Sequence, residues 1–156
     1  MEIERPDIIV TDPDGEYLLL VEVKLEYIES EIPDAIEQFK RTMASFDCSL
    51  GLLVAGEKII LLRDSLEKYG GESVSVVGEA KLPDSLLPPP DRYWQDSPQF
   101  EFEVRVQQWL ENLQLGFDLD RLPEDLKTLL DEGSIIDLLR MGKVRTAGPR
   151  WSTVTV

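Results

Sequence analysis

The sequence contains no histidine. That removes the usual general base, the Ser-His nucleophile pair and the commonest zinc ligand. Any hydrolysis by this chain has to run on carboxylates, lysines and a hard metal. Cysteine is nearly as scarce: Cys48 stands alone, which rules out an internal disulfide framework. No apolar run reaches the ~20 residues that span a bilayer, and the opening Met-Glu-Ile-Glu-Arg lacks the basic-then-apolar pattern of a signal segment. A cytoplasmic protein with no membrane role is expected. Bases are also few, 16 against 31 acids, for a net charge of −15. So acidic a chain is repelled by nucleic acid at long range.

What is present is enough for a core. The 156 residues are 42% hydrophobic, which indicates a globular chain rather than a disordered one. At this length folding buries roughly 68–70% of the unfolded surface. The charge is uneven. From Arg140 to Val156 there are four bases (Arg140, Lys143, Arg145, Arg150) and no acid. Such a stretch is either a solvated tail or a strip that faces phosphate or a partner.

Along the chain, Ile8 to Thr11 reads as a strand and Asp12-Pro13-Asp14-Gly15 as a turn. Tyr17 to Leu25 reads as a long strand covered on both faces, completing a hairpin. A helix is expected from about Ile32 to Phe46, with apolar residues at helical spacing and Pro33 in its first turn. On it, Gln38 is expected to project with Asp34, Arg41 and Thr42, away from the Ile36-Phe39-Met43 stripe. Leu50 to Val54 and Lys58 to Leu62 form a second hairpin, and Val74 to Val77 a short further strand. Pro83 to Asp91 reads as a boundary or semi-rigid connector. Beyond it, Ser97-Pro98 resembles a helix start. Phe102, Val106, Trp109, Leu110 and Leu113 fit one helix face, although Phe100 to Val106 also alternates like a strand. Pro123 to Leu130 and Ser134 to Met141 read as helices, and Trp151 to Val156 as a last edge strand. Cys48 is expected in the core; Trp94, Trp109 and Trp151 could stack on bases, but core or interface packing is the commoner use.

Side chains alternate along a strand, so Glu22, Lys24 and Glu26 share one face. Neither short pattern is rare here. The chain has five Pro-Asp pairs and a second Glu-x-Lys at Glu79 to Lys81. The order of parts says more: a Pro-Asp at the start of one strand, a tight hairpin, Glu22-x-Lys24 closing the partner strand, then an amphipathic helix with Gln38. Asp7 and Glu22 converging at a sheet end could bind Mg²⁺, which takes oxygen ligands and keeps several waters. A lysine beside them could hold a water nucleophile or offset transition-state charge. If Pro13-Asp14-Gly15 makes a three-residue loop with a bulge, Asp7 falls opposite Val21. Sharing a face with Glu22 then needs a bend or a further bulge near Asp7.

This combination resembles the PD-(D/E)xK nuclease superfamily, the restriction-endonuclease-like fold. The match is Pro6-Asp7, Glu22-x-Lys24, the helix "AIEQFKRTM" with Gln38, and the hairpin "GLLVAGEKIILLRD". The resemblance implies an α/β (α+β) fold: a mixed β-sheet core with flanking helices over residues 1–82, and a helical C-terminal extension with a basic tail over 83–156, packed on the core as one domain. It implies that Asp7 and Glu22, helped by the Val23 carbonyl, hold Mg²⁺ or Mn²⁺. Lys24 would position or activate the attacking water, and Gln38 would reach toward the site. The implied activity is endonucleolytic hydrolysis of DNA; the alternative is a catalytically silent module of the same fold, acting in protein-protein interaction or as a subunit of a complex, and a third reading is a homodimer or complex whose partner supplies the basic surface. The family core ordinarily opens with a helix, often bearing an acid, ahead of the Pro-Asp strand. Only five residues precede Pro6, so that helix is missing, or comes from elsewhere in the chain, or from a second subunit.

Overall fold

The computed structural model describes residues 6–26, 29–86, 98–117 and 119–146. The last strand expected at Trp151 to Val156, Ser97, Trp94, Arg150 and most of the proline-rich connector lie outside them. The described residues form one six-stranded mixed sheet and four α-helices. The strands are β1 (Ile8–Thr11), β2 (Tyr17–Lys24), β3 (Leu50–Ala55), β4 (Lys58–Asp64), β5 (Val74–Lys81) and β6 (Lys143–Thr146), and they lie side by side in the order β5-β4-β3-β2-β1-β6. Only β2 and β3 run parallel, and every other neighbouring pair is antiparallel.

The parallel pair dictates a crossover. Helix α1 (Ile32–Ser45) supplies it and lies on one face of the sheet, where Phe39 and Met43 pack with Ile9, Leu20, Leu53 and Ile60. Gly51 of β3 is what lets it approach. A Cβ there would stand 2.7 Å from Phe39 Cε2 and 2.8 Å from Met43 Sδ. The other face is covered by α2 (Pro98–Gln114), α3 (Glu124–Glu132) and α4 (Ile135–Met141). Phe102, Val106, Leu110 and Leu113 of α2 join Val21, Val23, Leu52 and Leu61 in a single apolar cluster. Central strands buried on both sides account for the unbroken apolar runs in the sequence.

Several expectations shift. Phe100 to Val106 is helical throughout, because its apolar residues continue at helical spacing to Leu113. The short strand at Val74 is eight residues long and takes in Glu79-x-Lys81. The basic segment at Lys143 is no solvated tail. It is an edge strand whose Arg145 pairs with Ile9 and Lys143 with Thr11. Gly142 permits the entry, since a Cβ there would meet Val10 Cγ1 at 2.7 Å and the Thr11 carbonyl at 2.9 Å. Thr42 does not share the outward side of Gln38. It is buried, and its hydroxyl donates to the Gln38 carbonyl at 3.2 Å. No helix among the described residues is long and apolar enough to cross a membrane.

Candidate functional site

The hairpin register decides where Asp7 stands. Asp12 anchors the turn, accepting the amides of Asp14 and Glu16 on Oδ1 at 2.9 Å each. Thr11 then pairs with Tyr17 but Val10 with Leu19, so β2 carries one extra residue, Leu18. A bulge of this kind moves every later pairing by one. Ile8 comes to face Val21, the last pair of the ladder before Asp7. The displacement lies at Leu18 of the partner strand rather than near Asp7, and it moves the pairing of β1 from Val10 back to Ile8.

Asp7 itself bends out of the ladder. Its amide donates to the Val21 carbonyl at 3.0 Å, and its Oδ2 accepts the Val23 amide at 2.7 Å. The carboxylate therefore sits against the backbone of the residue that separates Glu22 from Lys24. Along β2, Leu20 belongs to the α1-side cluster, while Val21 and Val23 belong to the opposite one. Alternation puts Glu22 and Lys24 on the α1 side. Glu22 is only 6% exposed, and both it and Asp7 have polar partners. The sequence's other Glu-x-Lys gives the contrast. Glu79 and Lys81 keep side-chain exposures of 58% and 60% and form loose surface ion pairs with Lys58 and Asp84. Burying a carboxylate is costly unless something compensates it, so Glu22 is the unusual member.

Lys24 and Gln38 meet at one cavity of about 210 Å³ between the ends of β2 and β3 and the first half of α1. Leu53 and Ala55 give it apolar wall, and Glu26, Glu31 and Asp34 surround it with carboxylates. Asp7 is not part of its lining. It precedes β1, which lies on the other side of β2 from β3, and Glu22 does not line the cavity either. Among the described residues no group of three or more His, Cys, Asp or Glu is placed to hold a metal ion. What Asp7, Glu22 and Val23 offer is two carboxylates and a carbonyl, an all-oxygen set suited in kind to a hard cation.

No local pattern points to Gln99. From the first turn of α2 its Nε2 donates to the Val23 carbonyl at 2.8 Å, and its Oε1 accepts the Leu25 amide at 2.8 Å. Nε2 also donates to Glu103 Oε2 at 2.7 Å. Cys48 takes no part in the site. It is buried at the foot of β3, and its thiol donates to the Leu50 carbonyl at 3.3 Å. Trp109 is likewise a core residue. No protein-family model, curated protein or solved structure matches this chain.

Proposed function

We propose that this chain is a metal-dependent phosphodiester hydrolase of the restriction-endonuclease-like kind, acting on DNA. The observation that carries the reading is the Asp7 carboxylate on the Val23 amide at 2.7 Å, which ties Asp7 to the Glu22-Val23-Lys24 segment whose Lys24 shares a cavity with Gln38. Asp7 and Glu22, with the Val23 carbonyl, would hold Mg²⁺ or Mn²⁺. When bound, the ion supplies Lewis-acid polarisation of the phosphate. The Lys24 ammonium orients the attacking water and offsets negative charge in the transition state. Gln38, across the cavity, donates or accepts to hold that water. Helix α2 comes from later in the chain and carries an acid, Glu103, one hydrogen bond from Gln99 beside Val23. This is in keeping with an opening helix supplied from elsewhere in the chain.

The test is cleavage. Plasmid and single-stranded DNA are incubated with the protein in Mg²⁺ and then Mn²⁺, beside the Lys24→Ala variant. Cleavage that disappears in the variant supports the hydrolase.

A second reading has its own observation. The carboxylates of Glu26, Glu31 and Asp34 surround the cavity, in a chain of net charge −15. They repel a phosphate approaching without a cation. On this reading the chain is a silent module of the same fold that acts through a protein partner. Absence of both cleavage and Mn²⁺ uptake by calorimetry would favour it.

A further inference from the structure

We propose that Gln99 is a positioning residue for the Glu22-Val23-Lys24 segment, its side-chain amide standing in for a strand that β1 cannot extend. The proposal rests on the hydrolase reading only in giving that segment its chemical purpose.

Strand β1 stops at its start because Pro6 has no N–H to give the ladder. On the β1 side of β2, the next backbone groups after the Val21 carbonyl are the N–H and C=O of Val23 and the N–H of Leu25. The Asp7 carboxylate takes the first. Gln99 takes the other two, donating to the Val23 carbonyl and accepting from the Leu25 amide. A primary amide presents the same donor and acceptor as a peptide group, so it continues the ladder by one unit. Glu103 fixes which way round the amide sits. A carboxylate only accepts, so it selects Nε2, and Oε1 is left to face Leu25.

The anchorage behind Gln99 is firm. Three residues on, Phe102 is fully buried, followed by Val106 and Leu110, in the cluster that also holds Val21 and Val23. Helix α2 thus fixes the end of β2 on one edge, while on the other the residue just after β3 fixes it through the Gly56 amide on the Lys24 carbonyl at 2.7 Å. Catalytic groups tolerate little slack, since a displacement of about 1 Å can cost about 100-fold in rate. A clamp on Val23 and Leu25 limits the movement of Glu22 and Lys24.

A structural tie and a positioning role separate in the Gln99→Glu variant. A protonated Glu has one donor and one acceptor, the pattern of the amide. Ionised, it can only accept and confronts both the Val23 carbonyl and Glu103. The experiment follows the Val23 and Leu25 amides of the full chain by NMR, with Mn²⁺ calorimetry, in wild type, Gln99→Leu and Gln99→Glu. In Gln99→Leu, Leu25 amide exchange should rise by about tenfold, the loss expected for one hydrogen bond. In Gln99→Glu, followed without metal, the Leu25 amide signal should match wild type at the acid end and depart from it as the new carboxyl ionises, while Mn²⁺ affinity, compared between wild type and the uncharged Gln99→Leu, should fall in the variant. Leu25 exchange unchanged in Gln99→Leu, or no pH-dependent difference in Gln99→Glu, would overturn the proposal. Wild type that takes up no Mn²⁺ while the amides behave as expected would uphold the clamp and end the hydrolase reading alone.

Discussion

The carboxylate of Asp7 is a hydrogen-bond acceptor for the Val23 amide, 2.7 Å from Oδ2 to nitrogen. It therefore does structural duty whether or not it binds a metal, and the two duties call for different substitutions. Asp7→Ala leaves the Val23 N–H without its acceptor and should cost about 1–3 kcal/mol of stability. Asp7→Asn retains an acceptor oxygen and should fold with nearly wild-type stability, yet lose Mn²⁺ uptake with the charge. Denaturant unfolding and calorimetry on the two variants check this. Equal loss of stability in both would show that the charge, not the hydrogen bond, matters to the fold.

Gly51 governs how closely α1 lies on the sheet. An added Cβ would come within 2.7 Å of the Phe39 ring and 2.8 Å of the Met43 sulfur. Both side chains are fully buried and cannot swing clear. Gly51→Ala should destabilise by about 1–3 kcal/mol, in the range of overpacked cores. Phe39→Leu in the same chain should recover part of that loss, which thermal unfolding of the double variant measures. Gln38 lies one position before Phe39, so the single variant should also disturb the Lys24–Gln38 cavity.

These contacts show which parts of the molecule the sequence displays. Helix α1 and both hairpins were legible because their signals are local: Pro33 in a first turn, apolar residues at helical spacing, turn residues between apolar runs. The same reading placed Glu22 and Lys24 on one face by alternation alone. The register of β1 on β2 was not legible. Leu18-Leu19-Leu20-Val21 is uniformly apolar, so a slip of one residue leaves the pattern unchanged. Of the edge strands, β5 reads four residues short and β6 does not read as a strand, for a different reason. Half of the β5 residues and three of the four in β6 are exposed, and a half-solvated strand with Lys, Arg and Glu resembles a loop. Gln99 was out of reach altogether, since its partners Val23 and Leu25 lie 76 and 74 residues away.

Cys48 gives the fold a dependence on alkaline pH. Burial pushes its thiol above the ordinary value of 9.0, outweighing the backbone hydrogen bonds at Leu50 and Leu20 that lower it. The unfolded chain then releases the thiol proton at a lower pH than the folded one. The contribution is whole below about pH 9 and is lost as pH rises from there toward the folded value. Stability measured by urea unfolding should fall from about pH 9 upward, with a slope from this group of at most about 1.4 kcal/mol per pH unit. Cys48→Ser, whose hydroxyl can still donate to Leu50, should remove that slope. Thiol reagents should label native Cys48 far more slowly than the urea-unfolded chain.

Lys143 and Arg145 offer the place to test the nucleic-acid reading by binding rather than by cleavage. Arg145 pairs with Ile9 and Lys143 with Thr11, and Ile9 in turn pairs with Leu20 of β2. Paired residues share a sheet face, so both bases lie on the face that carries Glu22 and Lys24. Both are exposed, and neither makes an ion pair among the described residues. Two strands and four residues separate Arg145 from Lys24, about 16 Å from strand spacing and rise. A nucleic-acid strand engaged at Lys24 therefore has phosphates within reach of this edge. If the chain binds DNA, replacing both residues by Glu should weaken binding uniformly across sequences and flatten the dependence of log K on log salt by about 2. Fluorescence anisotropy at several salt concentrations, with a divalent cation present, measures both. Wild-type binding with an unchanged salt slope in the double variant would move the phosphate contacts off this face, and with them the link between β6 and the Glu22–Lys24 site.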